Sequence, residues 1–121
     1  MSNSLDIKTN NRMITIGGKT YRMDFDMQAL SQAEQVYQSQ FGRSVNVSEI
    51  IAELAQVKMS AVMALAYGAL ISAGNVIAWK TFAKDIFTFE HFDEVFAVVE
   101  EALMDMFGKP DKNAAEAHSK N

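Results

Sequence analysis

The chain has 121 residues, of which 49% are hydrophobic and 21% charged, and it contains no cysteine. This length and balance are typical of one globular domain with its own core, while disulfides, thiolate nucleophiles and cysteine-based zinc sites are excluded. The net charge of -4 and the scattered positions of the 11 basic residues argue against a nucleic-acid-binding face, which is normally basic.

The chain divides into three regions. We expect a flexible polar N-terminus over residues 1–11, a single globular domain over 12–108 and a flexible polar tail over 109–121. The first residues lack the basic and apolar regions of a secretory signal. Together with the missing cysteines, this favours a cytoplasmic location.

Two runs of alternating residues around Gly17-Gly18 predict a β-hairpin. A two-residue glycine turn that pairs Ile16 with Lys19 gives the hairpin one apolar face: Ile14, Ile16, Tyr21 and Met23. The triplet Gly17-Gly18-Lys19 lacks the spacing of a phosphate-binding loop. Because a lone hairpin is only marginally stable, helices must cover its apolar face.

The first helix is predicted to start at Asp24 or Asp26, either of which can cap free amide groups, and to end at Gly42. Its apolar residues follow spacings of three and four: Met27, Leu30, Ala33, Tyr37 and Phe41. Glu34 lies beside this stripe. We interpret it as a boundary carboxylate with a packed stem and a hydrated head. The alternative is a buried, partnered carboxylate, but no second acid or histidine lies one turn away to make it catalytic.

Two further helices follow. The segment Asn46-Val47-Ser48-Glu49 is typical of a capping box and opens the second helix. The third runs from about Met59 to Ala73 and is apolar nearly all round, which predicts a central position packed on several sides. A membrane span is the alternative for this uncharged stretch, but its small and polar residues and the helix stop at Gly74-Asn75 favour the buried core helix.

The last helix carries the most regular pattern. We expect Thr88 to cap it after an irregular segment over 75–87, and Gly108 and Pro110 to close it. Its apolar positions alternate between spacings of three and four: Phe89, Phe92, Phe96, Val99, Leu103 and Met106. The predicted fold is therefore α+β and mostly α, with an N-terminal β-hairpin followed by a bundle of about four helices.

The sequence shows no catalytic, cofactor-binding or metal-binding constellation. His91 and His118 have no companions at metal-ligand spacing. The acidic residues of the last helix fall mainly opposite its phenylalanines, as on a solvated face. We therefore expect no enzymatic activity, no cofactor and no metal, and a protein that works by binding other proteins.

Eight phenylalanines and eight methionines are generous for this length. Methionine adapts to irregular partner surfaces, and aromatic anchors dominate protein interfaces. The best candidates for an exposed partner-binding patch are Trp79, Phe82 and Phe87, because their segment lacks a clean amphipathic pattern.

The order of elements resembles a known family. A glycine-turn hairpin ends in the run from Lys19 to Asp26, and a helix follows with Met27-Gln28-Ala29-Leu30 and Glu34. An alanine-rich helix near Ala64 to Ala73 and a final acidic helix with a charged tail complete the pattern. This order is similar to that of the small tail assembly chaperones of long-tailed bacteriophages, over about residues 12–108.

The resemblance implies a function in the host cytoplasm. Such chaperones bind the long tape measure protein, keep its apolar segments soluble and recruit tail tube subunits. The implied partners are thus the tape measure protein and the tail tube protein, with no nucleic acid and no membrane. The alternative is a small protein-binding regulator of phage or bacterial origin without enzymatic activity. The sequence does not predict an oligomeric state.

Overall fold

An antiparallel hairpin opens the fold in the computed structural model, which describes residues 10–108. Strand β1 spans Asn10–Ile16 and strand β2 spans Lys19–Phe25. Ile16 pairs with Lys19 as predicted, and Gly17 and Gly18 have φ values of 61° and 80°, as a tight hairpin turn requires. Strand β1 begins two residues before the expected domain boundary. Residues 10 and 11 of the expected flexible N-terminus, 1–11, therefore belong to this strand, while its residues 1–9 and the expected flexible tail, 109–121, lie outside the described residues.

Helices joined by loops follow the hairpin in the described chain. Helix α1 spans Met27–Phe41, α2 Val47–Ala55, α3 Met59–Ser72, α4 the single turn Trp79–Thr81 and α5 Phe92–Phe107. A π-helical turn, Phe82–Ile86, and a 3-10 turn, Phe89–His91, lie between α4 and α5. The α+β, mostly α fold class is confirmed, with the hairpin preceding the helices.

Side-chain caps fix where α1 and α2 begin. The Asp26 carboxylate accepts a 2.9 Å hydrogen bond from the Ala29 amide, and Gly42 ends α1 with a φ of 68°. At α2, the Glu49 amide donates to the Asn46 side chain at 2.8 Å, and the Asn46 amide donates to the Glu49 carboxylate at 2.9 Å. This is the reciprocal capping box predicted from the sequence.

Helix α3 lies at the centre, where it packs against α1, α2, α5 and β2. It crosses α1 so closely that a Cβ atom added to Gly68 would lie 2.4 Å from the Ala29 carbonyl oxygen. Small residues therefore set the distance between these helices. Within residues 10–108, α3 and the other helices are too short or too polar to cross a bilayer.

The start of α5 differs from the prediction. Thr88 precedes the 3-10 turn and makes no capping hydrogen bond with its side chain, and α5 itself begins at Phe92. The spacing predicts that Phe89 is the first residue of the apolar stripe of the last helix, but its side chain is 94% exposed. His91, at φ -105° and ψ 8°, is not helical, so the α-helical spacing that buries Val99 and Leu103 does not extend back to Phe89.

The hairpin is fixed to α5 by polar contacts. The Asn10 side chain donates a 3.0 Å hydrogen bond to the Ala102 carbonyl oxygen, 92 residues away. Arg12 forms ion pairs with Glu101, at 3.5 Å, and with Asp105. The first described strand and the last described helix thus close the fold.

Candidate protein-binding groove

An open apolar groove of about 180 Å³ lies between α2 and the C-terminal half of α5. All but one of its lining side chains lack a charge. On the α2 side it is lined by Ile51, Leu54 and Ala55, and on the α5 side by Glu100, Leu103, Met104, Phe107 and Gly108. A concave, mostly apolar surface with one charged group at its edge is the arrangement expected of a binding site.

The groove wall on α5 arises from helical spacing. Glu100, Leu103, Met104 and Phe107 are three or four residues apart, so they share one side of the helix. Leu103 is 5% exposed and joins the core, whereas Phe107 is 56% exposed. A half-exposed aromatic ring next to an apolar groove is the kind of anchor that dominates protein interfaces.

The other side of α2 carries a buried polar cluster. Glu53 is 8% exposed, and its carboxylate accepts hydrogen bonds from Arg43 at 2.5 Å and from the Tyr37 hydroxyl at 2.9 Å. The Ser60 hydroxyl lies 3.4 Å from the same carboxylate. These contacts join α2 to α1, to the loop after α1 and to α3. They therefore hold the α2 wall of the groove in place.

Hydrogen bonding from Arg43 lowers the pKa of Glu53 to about 2, against its desolvation. Burial raises the pKa of Tyr37 to about 12. At neutral pH the pair is therefore a carboxylate and a neutral phenol, which suits a hydrogen bond from the Tyr37 hydroxyl to Glu53. Neither group has its pKa near neutral pH, and the cluster is suited to holding helices together.

The chain leaves α2 in a strained conformation. Val57 has a φ of 57°, and it is the one residue other than glycine within 10–108 with a positive φ. A β-branched side chain in this region is an outlier. Its side chain is 46% exposed, so little packing stabilises the residue in that conformation.

Replacing Val57 by glycine is expected to raise the free energy of unfolding by about 1 kcal/mol, because glycine adopts positive φ without a steric cost. Urea denaturation measures the change. The matched control is Val76→Gly, at a valine that is 99% exposed and has an ordinary φ, where no gain is expected. A loss of stability in Val57→Gly would contradict this prediction.

The predicted partner-binding residues lie outside the groove, in a row of aromatic rings that contact one another. Trp79 is half-buried, whereas Phe82 and Phe87 are 1% and 7% exposed. The ring of Phe82 lies 5.6 Å from Trp79 and 5.7 Å from Phe87. The prediction that all three residues form an exposed patch is therefore wrong, since Phe82 and Phe87 belong to the core. A role for Trp79 in partner binding stays a prediction.

Tertiary packing explains this burial. In the π-helical turn the Phe87 amide donates to the Phe82 carbonyl oxygen at 2.7 Å, and both rings are buried against neighbouring elements. Trp79 is covered on its other sides by Phe41, at 5.8 Å, and Tyr67, at 5.2 Å. Edge-on and tilted ring contacts of this kind stabilise a core beyond the area that they bury.

Glu34 is half-buried, as the boundary interpretation predicts. His91 contacts the Glu94 carboxylate at 3.1 Å, and His118 lies outside the described residues. Within residues 10–108, no three His, Asp or Glu side chains come together as metal ligands would. Comparisons with protein-family models, curated proteins and solved structures yield no match to this chain.

Proposed function

We propose that this protein is a tail assembly chaperone that acts by binding and not by catalysis. Its partners would be the tape measure protein, whose apolar segments it keeps soluble in the host cytoplasm, and the tail tube subunits that it recruits. The open apolar groove between α2 and α5, with the half-exposed ring of Phe107 beside it, is the observation that supports this proposal.

The shape of the groove suits an amphipathic helix. Two helices form its walls, and a third helix can lay its apolar side between them, with residues at spacings of three and four as anchors. Ala55 is small and exposed on the α2 side, so a partner backbone can approach closely there. Covering the apolar stripe of a partner in this way removes the surface that drives aggregation.

Co-expression tests the proposal. Segments of a tape measure protein that are insoluble alone are expected to become soluble when this chain is present. Phe107→Asp should abolish that effect, because a charge would then lie against the apolar stripe of the bound segment. The soluble fraction after centrifugation measures the outcome.

Phe89→Asp is the matched control, because it makes the same chemical change at a ring that is 94% exposed and outside the groove. It should leave solubilisation intact. Equal loss in both variants, or none in Phe107→Asp, would contradict a role for the groove. Tight binding to one folded regulator, without any effect on tape measure segments, would instead favour the alternative function.

A further inference from the structure

We propose that the groove selects amphipathic helices whose apolar stripe is edged on one side by basic residues spaced seven apart. This inference rests on the proposed function of the groove as a binding site for a polypeptide segment. It adds the chemistry of the segment, and it follows from the charges on α5.

One acidic side chain lines the α5 side of the groove, and a second lies on the same side of α5 beyond the end of the groove. Glu100 lines the groove, and Asp93, seven residues earlier, lies on the same side of the helix, about 10 Å along its axis. Both side chains are exposed. A helix in the groove that runs beside α5 would pass both carboxylates.

These two carboxylates differ from their acidic neighbours. Glu101 and Asp105 form ion pairs with Arg12, and Glu94 contacts His91. Asp93 and Glu100 take part in none of the ion pairs formed among residues 10–108. They are therefore available to cations of a partner, and complementary charge gives an interface its specificity and its register.

The opposite wall sets the orientation of the bound segment. Ile51, Leu54 and Ala55 carry no charge, while Glu53 lies on the other side of α2, where it binds Arg43. The attraction is thus confined to α5. A bound helix would place its basic edge toward α5 and its uncharged edge toward α2.

Two other occupants fit less well. A second copy would bring its own acidic α5 edge toward Asp93 and Glu100, and like charges repel. The segment 109–121 carries three lysines, but its apolar residues are three alanines and one proline. Such side chains are too small to fill a groove lined by Leu103 and Phe107.

A label in the groove tests the inference. Because the chain has no cysteine, Ala55→Cys provides a single attachment point for an environment-sensitive fluorophore at the groove. Thr20→Cys, exposed on the hairpin, is the matched control. Two synthetic helical peptides of the length of α5, 16 residues, would share one leucine stripe and carry either lysine or glutamate at two edge positions seven apart.

The lysine-edged peptide is expected to bind at least about 10-fold more tightly than the glutamate-edged peptide, as two partly exposed ion pairs would allow. Saturable fluorescence changes should occur at position 55 and not at position 20. High salt should shrink the difference, because it screens exposed charges.

Charge reversal provides the decisive comparison. In the double variant Asp93→Lys/Glu100→Lys, the preference should reverse in favour of the glutamate-edged peptide. The control variant Asp85→Lys/Glu90→Lys makes the same change in net charge at two other exposed acids and should keep the original preference. Circular dichroism confirms that both variants are folded.

Each remaining outcome separates the two proposals. Equal affinity for both peptides would overturn the charge selection and leave the groove as a binding site. Absence of peptide binding, while tape measure segments still become soluble, would overturn this inference alone. Concentration-dependent dimers that exclude both peptides would identify a second copy of the chain as the occupant of the groove. That result would also overturn this inference.

Discussion

Replacing Gly68 by alanine is expected to lower the free energy of unfolding by about 3 kcal/mol, although alanine is normally the better helix former by about 1 kcal/mol. The added Cβ atom would lie 2.4 Å from the Ala29 carbonyl oxygen and 3.3 Å from the Ala33 amide nitrogen. Both atoms belong to the α1 backbone, so no side chain can rotate away. Helices α1 and α3 must separate, and the contacts between them weaken.

Urea denaturation of Gly68→Ala measures this loss, and Gly68→Val should be largely unfolded. Gly42→Ala is the control, because its Cβ would meet open space and only the positive φ of 68° opposes it. That change should cost about 1 kcal/mol. If Gly68→Ala proves as stable as the native chain, the close crossing of α1 and α3 is wrong.

Removing the charge of Glu53 is expected to cost about 2 kcal/mol of folding free energy. A pKa lowered from 4.5 to about 2 corresponds to at most about 3 kcal/mol. The Arg43 side chain is 47% exposed, so solvent screening reduces that figure. Glu53→Gln keeps the shape of the side chain and weakens its bonds to Arg43 and to the Tyr37 hydroxyl.

The dependence of the free energy of unfolding on pH should also change in Glu53→Gln, on the acidic side. Because the pKa of Glu53 is lower in the folded state, its contribution is fully present above about pH 4.5 and is lost as the pH falls toward about 2. The native chain should therefore lose more stability than Glu53→Gln over that interval. Thermal or urea unfolding at several pH values measures the difference.

Glu34→Gln is the control for this experiment. Glu34 is half-buried and belongs to none of the ion pairs seen among residues 10–108, so its loss should change stability by less than about 0.5 kcal/mol. If the native chain and Glu53→Gln lose stability equally as the pH falls from about 4.5 to about 2, the cluster around Glu53 contributes little to the free energy of folding.

Locally determined features of the fold were predictable from the sequence. The glycine pair fixes a two-residue turn, and the pairing of Ile16 with Lys19 follows from it. Asp26 and the Asn46–Glu49 box mark helix starts because their side chains bond to amides only three residues away. Such signals depend on neighbours in the sequence, so tertiary packing did not override them.

Features that depend on distant contacts were missed. Glu53 lies one turn after Ile50, on the buried side of α2, which is the local sign of a partnered acid, but its partners Arg43 and Tyr37 come from other elements. Phe82 looks like an interface residue in a single sequence because core and surface aromatics obey the same pattern. The groove was missed for that reason as well, since the sequence shows that Ile51 and Leu54 are apolar but not whether another element covers them.

The 92-residue separation between Asn10 and Ala102 has a consequence for synthesis on the ribosome. Strand β1 emerges early, but the helix on which it docks emerges only after nearly all of the described chain has been translated. Until then, the inner surface of the hairpin can be covered by α3 but not by α5. The final closure of the domain is therefore expected to follow release of α5 from the exit tunnel, as a late and concerted step.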